Sequence, residues 1–117
     1  MRNKFWDTII HDKEIINDEY GESYIVFENV LVNLDLNKDK ITIDDIISHH
    51  QGMGYASKAL REICKLADRL KVVLDLYPHP TKKQGLNKES LKEWYNRYGF
   101  YEENEWIRIP NHSFKSS

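Results

Sequence analysis

Hydrophobic and polar residues follow one another in blocks whose period changes several times along this chain. The stretch KITIDDIIS at 40–48 starts with strict alternation and then turns apolar, as a strand entering a core does. Beyond it, Ala56, Ala59, Leu60, Ile63, Cys64, Ala67 and Leu70 recur at helical spacing, while Lys58, Arg61, Lys65 and Asp68 fall on the other side. That is the clearest helix in the sequence. The continuous apolar run VVLDLYP at 72–78 predicts a strand buried on both faces. A second helix is expected after Asn87 as its cap, with Leu91, Trp94, Tyr95 and Tyr98 on the apolar stripe and Gly99 as the stop. Residues 100–103 and 105–110 then read as a closing pair of strands around Asn104, with a loose tail from Asn111.

The first 23 residues are less legible. Phe5, Trp6, Ile9 and Ile10 suit one helical stripe that the polar run at 11–14 interrupts, and residues 17–23, with Gly21, read as a turn. The segment at 24–36 is rich in β-branched and aliphatic residues and fits one bent strand or two short ones, followed by a polar turn at 37–40. No repeat, low-complexity tract or Pro/Gly-rich linker divides the chain, so residues 1–117 are read as a single α+β domain.

Composition narrows the function classes. With 17 Lys+Arg against 19 Asp+Glu and a formal net charge of −2, a dedicated nucleic-acid binder is not expected, because its affinity would come from a basic face. There is no apolar run of membrane-spanning length and no signal-peptide pattern. A lone cysteine, Cys64, cannot form an internal disulfide, which points to a reducing cytoplasm and excludes a Cys-based metal site. A core of this size is thin, and the apolar residues near the N-terminus leave room for a homodimer.

The informative feature is a strand ending at Ser48, a loop with Gly52 and Gly54, and a helix that starts at once. Glycines there let backbone N–H groups turn outward beside the unpaired donors and positive end of the new helix, which makes an anion cradle. The dinucleotide fingerprint needs a third glycine where Ser57 stands, and the P-loop spacing is absent. What fits is Gln51-Gly52-Met53-Gly54-Tyr55-Ala56, which resembles the [QR]-x-x-G-x-[GA] loop of the GNAT superfamily of N-acetyltransferases. Trp94-Tyr95-Asn96-Arg97-Tyr98-Gly99-Phe100 is similar to that family's late aromatic-Tyr-x-x-x-Gly-Phe element, and the intervening helix, strand and loop come in the family's order. The likeness covers roughly 41–110 and is strongest to compact, phage-type members.

This resemblance implies a central mixed, twisted sheet with splayed middle strands and flanking helices, the N-terminal helices being reduced. It implies acetyl-CoA as co-substrate and an amine acceptor, small molecule or protein, attacking the thioester directly. The loop amides of Gln51, Gly52, Met53, Gly54, Tyr55, Ala56 and Ser57 would hold the pyrophosphate, with the Ser57 hydroxyl as an added donor. Ile46, Ile47 and Ser48 would pair with the pantetheine arm like an added strand. Tyr95 is the candidate general acid; its place on the stripe with Leu91 and Trp94 equally suits core packing, a role given also to Trp94 and Tyr98.

The general base is open. Asp75 interrupts an apolar run and is the leading carboxylate, either a buried proton acceptor or a strand-end aspartate facing water; Asp44, Asp45 and Glu28 follow it. His49 and His50 point apart on an extended chain, so no metal site is expected, and the Lys82-Lys83 pair suits solvent or the cofactor's adenosine phosphate. Two other readings stay in play: a GNAT-fold protein that binds acetyl-CoA or a protein partner without catalysis, and an α+β interaction module with a coincidental glycine loop.

Overall fold

The computed structural model describes residues 4–37, 40–48, 54–76, 88–102 and 106–110. In chain order these form α1 (Lys4–Asp12), β1 (Ile15–Asn17), β2 (Ser23–Phe27), β3 (Val30–Asn37), β4 (Lys40–Ser48), α2 (Tyr55–Leu70), β5 (Val73–Leu76), α3 (Lys88–Asn96), β6 (Tyr101–Glu102) and β7 (Trp106–Arg108). The strands make one mixed sheet in the order β1-β2-β3-β4-β5-β7-β6. Every neighbouring pair is antiparallel except β4–β5, which α2 joins as a parallel crossover. None of the helices among the described residues is long and apolar enough to cross a membrane.

The 24–36 segment resolves into two strands. Asn29 turns the chain between them at φ 58, a left-handed conformation that asparagine tolerates better than most residues. At the N-terminus α1 runs on through His11 and ends at Asp12, within the polar run at 11–14. Phe5 and Ile9 are buried and the polar end simply lies outside. The turn after β1 is held by Asp18, whose carboxylate accepts the N–H groups of Tyr20 and Glu22 at 2.8 and 2.9 Å.

Packing on one face of the sheet follows from the pleat. Val32, Leu34, Ile41, Ile43, Ile46, Leu74 and Leu76 are buried with Ala59, Leu60, Ile63, Cys64 and Ala67 of α2. Cys64 is fully buried, and burial pushes its thiol up to about 12, which fits an inert core group. Arg108, at the end of β7, is also wholly buried. Its guanidinium meets the Asp68 carboxylate bidentately at 3.0 and 2.9 Å, and its Nε donates to the Tyr98 carbonyl at 2.6 Å. One side chain thus fastens the end of α2, the end of α3 and the sheet together.

Candidate functional site

The relation of β4 to β5 shapes the site. Their pairing covers Lys40↔Val73 to Ile43↔Leu76. At the next residue the register of β4 against β3 shifts: Leu34 faces Ile43 but Asn33 faces Asp45, leaving Asp44 as the extra residue of a β-bulge. A bulge bends its strand and increases the local twist. From there β4 runs on to Ser48, paired with β3 as far as Val30↔Ser48, with no strand pairing to β5 over 44–48 among the described residues. In an antiparallel ladder alternate residues turn their N–H and C=O to the partner and the rest turn away. Half of the backbone groups of 44–48 therefore face away from β3, on the side where residues 40–43 pair with β5. Ile46, Ile47 and Ser48 lie along that stretch.

The end of this stretch leads to α2. Gly54 is its N-cap at φ 80, with no side-chain cap hydrogen bond, and a Cβ built there meets no heavy atom within 4 Å. Glycine suits this position because an L side chain at that φ is strained. The first turn, with Tyr55, Ala56 and Ser57, carries no acidic residue to neutralise the helix end. Gln51, Gly52 and Met53, with His49, His50, the Lys82-Lys83 pair and the Asn87 cap, lie outside the described residues.

Tyr95 is 6% exposed, its ring packed at 5.0 Å from Trp94 and 5.5 Å from Phe100. Among the described residues nothing makes a hydrogen bond with its hydroxyl. A buried phenol normally finds such a partner. Burial, and next the negative charge of Asp45 just past the bulge, hold its proton affinity above the ordinary range. Tyr95 is therefore a core residue, as its place on the stripe with Leu91 and Trp94 implies, and its hydroxyl lies within electrostatic reach of Asp45 on β4.

Asp75 is buried, but its carboxylate is engaged. Oδ1 accepts the Thr42 hydroxyl at 2.6 Å across the β4–β5 register, and Oδ2 lies 3.4 Å from the Lys40 ammonium. That arrangement fastens the two parallel strands across their shared register. Asp44 behaves differently. Burial raises its pKa to about 7, helped by a hydrogen bond to Asp35 and by the charges of Asp35, Glu22 and Asp75. A doubled aspartate breaking the alternation of KITIDDIIS is the sequence signal for both the bulge and this carboxyl.

The shift of Asp44 has a consequence for stability. A carboxyl with a pKa near 7 when folded and 3.8 in the reference state binds more protons in the native protein between those values. Its contribution is favourable at acid pH and is lost as pH rises toward 7, opposite to an ion-paired carboxylate. Asp44→Asn keeps the hydrogen bond to Asp35 without the charge. The variant is expected to melt above wild type at pH 8 and to lose that advantage by pH 5. Equal melting temperatures at both pH values would remove Asp44 from the group of perturbed carboxyls.

No family model matches the sequence, and no curated protein matches it. Among solved structures the chain is similar to the crystal structure of the anti-CRISPR protein AcrVA5, with a TM-score of 0.59 and 18% identity over 72% of this chain and 93% of that one. Likeness at that identity speaks for the mixed α+β fold and carries no chemistry with it.

Proposed function

We propose that the protein is an acetyl-CoA-dependent N-acetyltransferase with the splayed-sheet architecture of the GNAT superfamily, transferring an acetyl group to an amine. The observation that carries this reading is the bulge at Asp44, beyond which β4 stays paired with β3 as far as Ser48 and leads in sequence to a glycine-led helix N-terminus, together with a buried tyrosine whose hydroxyl makes no hydrogen bond among the described residues. Strand divergence at the C-terminal end of parallel neighbours is a recurrent ligand crevice. The residues present fit the cofactor: an open left-handed Gly54, a helix start free of acidic residues, and the backbone of 44–48 on the side of β4 away from β3.

Bound acetyl-CoA supplies the thioester acetyl group. Gly54, Tyr55, Ala56 and Ser57 would hold its pyrophosphate, and Ile46, Ile47 and Ser48 would line its pantetheine arm. An alkylamine, with pKa ~10.4, is charged at neutral pH and must lose a proton before it attacks. Asp44, raised to about 7, accepts that proton in place of Asp75, whose oxygens are engaged. Tyr95 would hold the hydroxyl proton that a departing thiolate needs as the acetyl group passes to the amine.

Release of free CoA thiol in the presence of an amine panel, with a mass gain of one acetyl group on the acceptor, tests the reaction. Saturable acetyl-CoA binding without thiol release would leave a cofactor-binding protein and contradict the catalytic reading. For the cradle, Gly54→Val puts a branched side chain into the space kept open at φ 80. It is expected to weaken acetyl-CoA binding about tenfold or more with the core intact, since nothing packs on that position. Unchanged affinity by calorimetry in a folded Gly54→Val protein would rule out pyrophosphate at this helix.

A further inference from the structure

We propose that β1 is a docking edge for an extended, basic segment of a partner protein, which adds to the sheet as a further strand. β1 stands at the end of the sheet order and pairs with β2 alone. The Val26 N–H donates to the Glu14 carbonyl and the Asp18 N–H to the Glu22 carbonyl, each at 2.9 Å. Between these bonds the register runs Ile15↔Ile25, Ile16↔Tyr24, Asn17↔Ser23. Antiparallel alternation therefore aims the backbone of Glu14, Ile16 and Asp18 at β2 and turns the N–H and C=O groups of Ile15 and Asn17 outward. Among the described residues no hydrogen bond takes up these outward groups. Two donors and two acceptors in one row are what an added strand completes.

The edge is also left unguarded. Edge strands are commonly blunted by lysine, proline or a bulge, whereas β1 is Ile-Ile-Asn. Its two isoleucines are each 38% exposed and point to opposite faces, and Tyr20 in the following turn is 81% exposed. Charge says which strand fits. Residues 12–22 carry Asp12, Glu14, Asp18, Glu19 and Glu22 against Lys13 alone, and Lys13 is paired with Glu62 at 2.8 Å. A second copy of the chain would set the same carboxylates against each other, and like charges facing across strands are destabilising. A segment with basic residues between apolar ones meets opposite charge along the whole edge.

The probe is a capped peptide of alternating arginine and valine, since arginine cannot serve as an acceptor amine; its control alternates glutamate and valine. Titrating the isotope-labelled protein with the arginine peptide should give saturable amide shifts and slowed hydrogen exchange at Ile15 and Asn17, weakened by salt. The glutamate peptide should leave both amides unmoved. Ile15→Pro removes an N–H that β2 does not use, which an edge strand tolerates, and should weaken binding about tenfold or more. Glu14→Lys combined with Glu19→Lys, both exposed, should reverse the preference to the glutamate peptide. This charge-reversed variant decides alone if the proline variant does not fold. No saturable change at Ile15 and Asn17, equal binding of both peptides, full affinity in a folded Ile15→Pro or an unreversed preference would each overturn the proposal. A dimer in sedimentation whose Ile15 and Asn17 amides are protected without peptide would assign the edge to a second copy and overturn it as well.

Discussion

Tyr95→Phe is expected to lower turnover by about 10²–10⁴-fold, the usual contribution of a positioned general acid, while leaving acetyl-CoA affinity nearly unchanged. The substitution keeps the ring that packs on Trp94 and Phe100 and deletes an oxygen for which no hydrogen bond is found among the described residues. Stability should therefore hold or rise slightly, since a buried polar atom with no partner costs free energy in the folded state. The loss should fall equally on kcat and kcat/KM, because the proton moves only as charge develops on sulfur. Pure packing predicts the reverse pattern: normal turnover and a stability change alone. Single-turnover rates and cofactor Kd on the variant distinguish the two, and unchanged turnover would assign Tyr95 to the core and nothing else.

Arg108→Met should be the most damaging single change to the fold. Removing one partner of a buried pair leaves the other charge uncompensated, at a cost of roughly 3–5 kcal/mol. Here Asp68, 14% exposed at its side chain, loses its bidentate guanidinium contact, and the Tyr98 carbonyl loses its donor too. Against the about 5–15 kcal/mol that holds a domain together, this is a large share. Pairing the change with Asp68→Leu should recover much of it, because an apolar pair of similar volume is often as stable as the ion pair it replaces. Chemical denaturation of the three variants checks this; additive losses in the double variant would mean that the two side chains act independently.

The contrast between these residues shows what the sequence makes legible. The β4–α2–β5 unit and the α3 stripe are visible because their periods persist over many residues and local packing obeys them. α1 is harder to bound, because its last turn is polar and exposed and only Phe5 and Ile9 carry the burial signal. Asp75 reads correctly as a buried interruption of an apolar run. Its partners, Lys40 and Thr42, belong to another strand and follow only from register. Arg108 gives no local signal at all: an arginine ending a short strand looks solvated until Asp68, 40 positions earlier, is brought beside it. The bond that the Trp94 indole N–H donates to Ser57 Oγ is hidden in the same way, by sequence distance. The bulge is a partial case, since the doubled aspartate marks an extra residue without showing on which strand the shift occurs.

The most direct measurement on the central claim is a titration of the isotope-labelled protein with acetyl-CoA, followed by backbone amide shifts. Saturable changes are expected at Ile46, Ile47 and Ser48 on β4 and at Gly54, Tyr55, Ala56 and Ser57 at the start of α2. No saturable change, or changes confined to the groove between α1 and α2 lined by Thr8, Ile9, Lys13, Glu62 and Arg69, would contradict the placement of an acyl-CoA beside the end of β4 and the start of α2.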